Sequence, residues 1–149
     1  MQSVDEFDYA RMKDFLSFYD EKYLNLGGLP PEKRPIASLE ALEKQSMKKA
    51  LSGLRQAIND CVEMSFHFDH SEVEKLDSQL LSRGIVTLSE LRRRYSKGYA
   101  KIKKNGRIKN ETEYYLVRNV LDDPTPKTSE ERVLLEKLVV DYERTRRAD

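Results

Sequence analysis

Four times along this chain a helix-start signal stands ahead of an apolar run. Ser3 with Glu6, Ser71 with Glu74, Thr87 with Glu90 and Asn110 with Glu113 each set a short polar residue three positions before a glutamate. The short side chain accepts one of the orphan amide N–H groups of a first helical turn, and the glutamate reaches back to another. Behind each signal, apolar residues recur at steps of three and four: Met12, Phe15, Tyr19, Tyr23 and Leu26; Val73, Leu76 and Leu80; Leu88, Leu91, Tyr95, Tyr99 and Ile102; Tyr114, Val117 and Val120. That period puts them on one face of a helix. Stops follow in turn at Gly27-Gly28, Gly84, Gly106 and Asp122-Asp123-Pro124, where glycine tolerates a left-handed cap and proline cannot continue a helix. A chain punctuated in this way is confined to an all-α fold.

Two further helices complete the expectation. Ser38 is a suitable cap for a long helix with Met47, Leu51, Leu54, Ile58 and Cys61 on its apolar side, Val62 beside them and Gly53 marking a close approach. Thr128 leads into a last helix with Leu134, Leu135, Leu138, Val139 and Tyr142. The pattern predicts a compact bundle of about six helices, at approximately 4–26, 39–65, 72–83, 88–104, 111–122 and 129–146. Residues 26–38, with Pro30, Pro31 and Pro35, read as a semi-rigid linker between helix 1 and the helical body. Asn105-Gly106 is also a hairpin signal, but a two-residue turn would send Ile102 and Ile108 to opposite faces and oppose Lys104 to Arg107. It reads as a helix end. At 149 residues, one domain burying roughly two-thirds of its extended surface is expected.

No apolar run reaches the length of a membrane span, and no charged-then-apolar leader opens the chain. The expected setting is cytoplasmic, with no membrane partner. A single cysteine, Cys61, excludes an internal disulfide and a cysteine-ligated zinc site. It follows an apolar stripe and reads as a buried, inert thiol.

Charge is where the sequence is unusual. The formal net charge is +1, yet residues 83–109 hold ten Lys and Arg against one acid, Glu90, while the flanks 1–82 and 110–149 carry −5 and −3. Arg92, Arg93, Arg94, Lys97, Lys101, Lys103, Lys104, Arg107 and Lys109 are the candidate binding cations, with Tyr95, Tyr99 and Tyr114 as flanking anchors. Tyr114 and Tyr115 diverge by about 100° on a helix, so they cannot share one core stripe. Such a segment suits charge-assisted pairing with an acidic protein, and this is the leading expectation: a non-enzymatic adaptor, regulator, or immunity- or antitoxin-like inhibitor. The alternative puts nucleic-acid phosphates on the same residues. The competing structural reading has the acidic body neutralise its own basic helix. The pair 88–104 and 111–122 departs from a helix-turn-helix, because its connection is long and its cations lie on the first helix. A second copy of the chain is a further candidate partner, through exchange of helix 1.

Catalytic signals are sparse. His67, Asp69 and His70 are candidate metal ligands and the basis of a second alternative, a metal-dependent enzyme, but no H-E-x-x-H pattern or third histidine accompanies them. Neither a G-x-S-x-G elbow nor a phosphate-binding loop occurs. No cofactor and no enzymatic activity are expected.

Overall fold

The computed structural model describes residues 6–24, 30 and 34–148. It is helical throughout, with no strand among the described residues. The elements are α1 (Glu6–Tyr19), which runs into a π-helical turn (Asp20–Leu24), α2 (Pro35–Gln45), α3 (Met47–Met64), a 3-10 turn (Ser65–His67), α4 (His70–Ser82), α5 (Leu88–Tyr95), α6 (Lys97–Asn105), α7 (Glu111–Asp122) and α8 (Ser129–Ala148). The all-α expectation holds, with eight α-helices described in place of about six. The Ser3 signal, the Gly27-Gly28 stop and most of the proline stretch lie outside the described residues.

Both extra helices come from one device. The expected helices 39–65 and 88–104 are each cut by a serine. Ser46 is extended (φ −167°, ψ 125°), its N–H closing α2 on Leu42 O and its Oγ accepting from Lys49 N at 3.3 Å to open α3. Ser96 (φ −71°, ψ 121°) does the same between α5 and α6, with its N–H on Arg92 O and its Oγ accepting from Tyr99 N at 3.1 Å. Serine competes with the helix for its own backbone groups, so it serves as an end more readily than as an interior residue. Two starts also move. Pro35, not Ser38, opens α2; Ser38 donates its N–H to Arg34 O within the first turn, so residues 35–38 of the expected linker are helix. Asp69, not Ser71, caps α4, its Oδ1 accepting from Glu72 N at 2.8 Å. Thr87 and Asn110 cap α5 and α7 as expected, and Gly84 and Gly106 take the left-handed conformation.

The chain forms two compact units, residues 1–65 with 80–86, and residues 66–79 with 87–149. In the first, α3 packs against α1 and α2. Met12, Phe15, Leu16 and Tyr19 of the aromatic stripe are buried, as are Leu39, Leu54, Ile58 and Val62. Gly53 marks the close approach: a Cβ there would lie 2.9 Å from Leu42 Cδ1. A polar seam joins α1 to α2, where Glu43 accepts from the Tyr9 hydroxyl at 2.6 Å and pairs with Lys13 at 3.0 Å. Cys61 is buried, and burial, with Asp60 and Asp20 nearby, pushes its thiol up to about 12. It is a protonated thiol at neutral pH, a poor nucleophile.

In the second unit α7 contacts α5, α6 and α8. Val117 and Val120 of α7, Leu135 and Val139 of α8, and Tyr99 and Ile102 of α6 form its core. Polar groups tie the helix ends. Thr87 donates from Oγ1 to Asp123 Oδ1 at 2.8 Å, joining the start of α5 to the end of α7. Lys127 closes the connection to α8 by donating to the carbonyls of Asp123 and Thr125 at 2.6 and 2.9 Å. Asp77 of α4 accepts both the N–H and the hydroxyl of Ser89, in the first turn of α5.

Two predictions follow from these helix ends. Ser96→Ala removes a cap from a buried junction and lowers unfolding free energy by about 1 kcal/mol, read as a reduced urea midpoint with unchanged slope. Burial pushes the Asp77 carboxyl up to about 6, against the Ser89 hydrogen bonds and Arg92, with Asp123 adding to the rise. Folded protein then keeps a proton that unfolded chain releases, so this group's stabilisation is full below about pH 4 and lost as pH rises through about 6. Melting temperature across that window should carry this decline in the parent and lose it in Asp77→Asn.

Candidate functional site

The basic segment divides at Ser96. On α5, Arg92, Arg93 and Arg94 turn inward or pair. Arg92 is only 3% exposed, with its guanidinium 5.3 Å from the centre of the Phe66 ring. Arg93 donates through Nε to Glu90 Oε1 at 2.7 Å and through Nη2 to Glu90 Oε2 at 3.1 Å, while its Nη1 reaches Glu131 Oε1 of α8 at 2.7 Å. Arg94 Nε donates to Glu90 Oε2 at 2.9 Å. Glu90, the lone acid of the segment, is thus a buried anchor, and its reciprocal capping role is replaced by these two arginines. Arginine satisfies such a carboxylate well because its planar fork offers parallel donors.

On α6, Tyr99 is buried and its hydroxyl donates to Glu131 Oε2 at 2.6 Å; Lys103 reaches the same oxygen at 3.5 Å and lies 4.8 Å from the Tyr99 ring centre. Burial alone would raise the Glu131 carboxyl, but the Tyr99 hydrogen bond and the charges of Arg93 and Lys103 outweigh it and hold the group below its ordinary value. The Glu90 hydrogen bonds, aided by the Glu131 charge, raise Arg93 further above neutrality. Glu131 therefore stays ionised at neutral pH.

What remains is an exposed basic face. Lys97, Lys101 and Lys104 fall at i, i+4 and i+7, one side of α6. Arg107 and Lys109 continue it in the loop to α7. All five are exposed, and none has an ion-pair partner among the described residues. Of the tyrosines expected to flank it, Tyr95 is half-buried, Tyr99 is core, and Tyr114 is buried with its hydroxyl donating to Glu143 at 2.6 Å. As candidate surface cations, Arg92 and Arg93 are corrected, since Arg92 is buried and Arg93 half-buried, whereas Arg94 is exposed but paired with Glu90; the break at Ser96 resets the phase, and Lys97, Lys101 and Lys104 of α6 project outward.

The histidine cluster resolves differently. Asp69 spends Oδ1 on the α4 cap, and His70, the first residue of α4, sets Nε2 2.6 Å from Glu74 Oε1. Among the described residues no three His, Cys, Asp or Glu side chains are placed to hold one metal ion. His70 and Tyr115 instead face each other at 4.8 Å; Tyr114 stacks on Tyr142 at 5.2 Å and meets the Tyr115 ring edge-on at 5.1 Å, so both tyrosines pack on one core, against the expectation that they cannot share it.

Glu131 is the residue that sequence reasoning passed over. Its signal was available: Thr128 and Glu131 have the spacing of the four start signals, and Thr128 Oγ1 does accept from Glu131 N at 3.1 Å. Asn119 is a second omission, a polar residue on the apolar side of α7. Among the described residues no helix is long and apolar enough to cross a membrane. No family model, no curated protein and no solved structure matches the chain.

Glu131→Gln tests the anchor. It leaves Arg93 and Lys103 facing a neutral amide in a largely dry site, and should cost about 2 kcal/mol of unfolding free energy by chemical denaturation.

Proposed function

We propose that this protein is a non-enzymatic binding protein that engages an acidic protein partner through the α6 face and the loop after it, as an adaptor, a regulator, or an inhibitor of the immunity or antitoxin type. One observation carries the reading: Arg92–Arg94 and Lys103 are engaged within the chain, whereas Lys97, Lys101, Lys104, Arg107 and Lys109 are exposed without an ion-pair partner among the described residues. Unpaired surface cations add little to folding stability. Gathered on one face, they create a field that speeds and orients the approach of an oppositely charged surface. Arg93 and Arg94 are paired and Arg92 is buried, which leaves Arg107 as the one arginine of this face for a guanine edge, and the Tyr99 and Tyr114 rings that would stack on bases are buried. Lysine charge without a stacking platform favours an acidic protein surface over nucleic acid.

The test is the triple variant Lys97→Glu, Lys101→Glu, Lys104→Glu. All three positions are exposed, so its melting temperature should stay close to that of the parent. Affinity purification from the native host should recover an acidic partner with the parent and lose it with the variant. Equal recovery by both overturns the reading. Binding of mixed-sequence DNA or RNA at about 50 mM salt, steeply weakened by about 300 mM and lost in the variant, selects the nucleic-acid alternative instead.

A further inference from the structure

The second unit contains a cleft of about 450 Å³ with aromatic walls, Phe66, Phe68 and Tyr115, and with His70, Arg92 and Asn119 around it. That volume lies within the roughly 300–1,000 Å³ of small-molecule sites. Buried polar groups are nearly always hydrogen-bonded, so exceptions ask for a cause. Two of them belong to residues that line this cleft. Asn119 is 5% exposed, and its side chain makes no hydrogen bond among the described residues, with Oδ1 closed off from water. His70 Nδ1 is likewise buried and unpartnered, while Nε2 is held by Glu74. With the proton on Nε2, Nδ1 carries a lone pair in the neutral ring. Both vacant atoms are therefore acceptors.

The two carboxylates at the rim are committed elsewhere. Asp69 caps α4, and Glu111 pairs with Arg146 at 2.7 Å. An occupant must bring its own N–H donor to Asn119, and flat faces to the aromatic walls. We propose that this cleft binds an aromatic nitrogen heterocycle bearing an exocyclic amine, the chemistry of adenine. Its amine donates to Asn119 Oδ1, and its ring lies against Phe66, Phe68 and Tyr115. Asparagine suits adenine because its amide both accepts from the amine and donates to the neighbouring ring nitrogen. The terminal amide torsion is soft, so a small turn of Asn119 presents these atoms to the cleft. The proposal stands apart from the α6 face and does not depend on it.

Isothermal titration of the full chain with adenosine, uridine and a short oligoadenylate tests it. Adenosine should bind, and uridine, which lacks the exocyclic amine, should bind at least about tenfold more weakly. Binding of oligoadenylate but not adenosine would place the base in a strand rather than in a free nucleoside, with the same pocket chemistry. Asn119→Leu keeps the shape and removes the unpaired amide. It should weaken binding at least about tenfold while the unliganded melting temperature is unchanged or raised. A residue kept only for packing and hydrogen bonding within the fold would lower that temperature. Absence of binding by both adenosine and oligoadenylate, equal binding of uridine, or a destabilised Asn119→Leu variant with unchanged affinity overturns the proposal.

Discussion

An ionised carboxylate withdrawn from water must be met by donors, or it costs several kcal/mol. Glu90, 1% exposed, and Glu131, whose side chain is 11% exposed, impose that condition on the second unit. Together they take Arg93 and Arg94 from α5 and Lys103 and the Tyr99 hydroxyl from α6, with Glu131 itself on α8. Removing one member strands the others, so the network specifies which way α5 faces. Its net contribution to stability is a smaller quantity than the sum of its contacts. Its larger consequence is selection: it decides which cations of a very basic segment are spent indoors and which are left to meet something else.

The break at Ser96 makes that selection possible. A continuous helix from 88 to 104 would carry Arg92–Arg94 and Lys97–Lys104 around one axis, with Tyr95 on the buried stripe. With Ser96 ending one helix and starting the next, the apolar side of α5, Leu88 and Leu91, and that of α6, Tyr99 and Ile102, are both buried while Tyr95 is only half-buried. The same junction separates a clamped arginine cluster from an outward lysine face. Ser46 cuts the first unit in the same way, and there it gives α2 its own direction against α3, where the missing side chain of Gly53 admits Leu42.

The second unit also holds an unusual share of buried polarity. Thr87, Ser89, Glu90, Arg92, Ser96, Asn119 and Asp123 are all buried there. Most are accounted for as caps and ion pairs that hold helix ends. Asn119 and the Nδ1 of His70 are not, and they adjoin a cleft whose walls are aromatic. Local rules tend to be broken where a site is kept ready at some expense to stability. Lysine face and cleft are two separate surfaces, one basic and exposed, the other a half-open hollow with aromatic walls.

Helix identity was legible along the chain because it is encoded locally. Thr87 and Asn110 as caps, Gly84 and Gly106 as stops and the 3.6-residue stripes each act within a turn or two, and the structure uses them as read. The extra N-caps at Ser46 and Ser96 were equally local, but a serine within an apolar period is ambiguous: it can point outward from a continuing helix or end it. The basic character of 83–109 was a property of the sequence alone. Which of its charges stay free was not, since that depends on Glu131, 38 residues beyond Arg93. Nor could spacing place Asn119, Phe66 and His70 around one cleft. Capping and periodicity are short-range and written in order, whereas charge compensation and buried acceptors depend on which distant helix packing brings alongside.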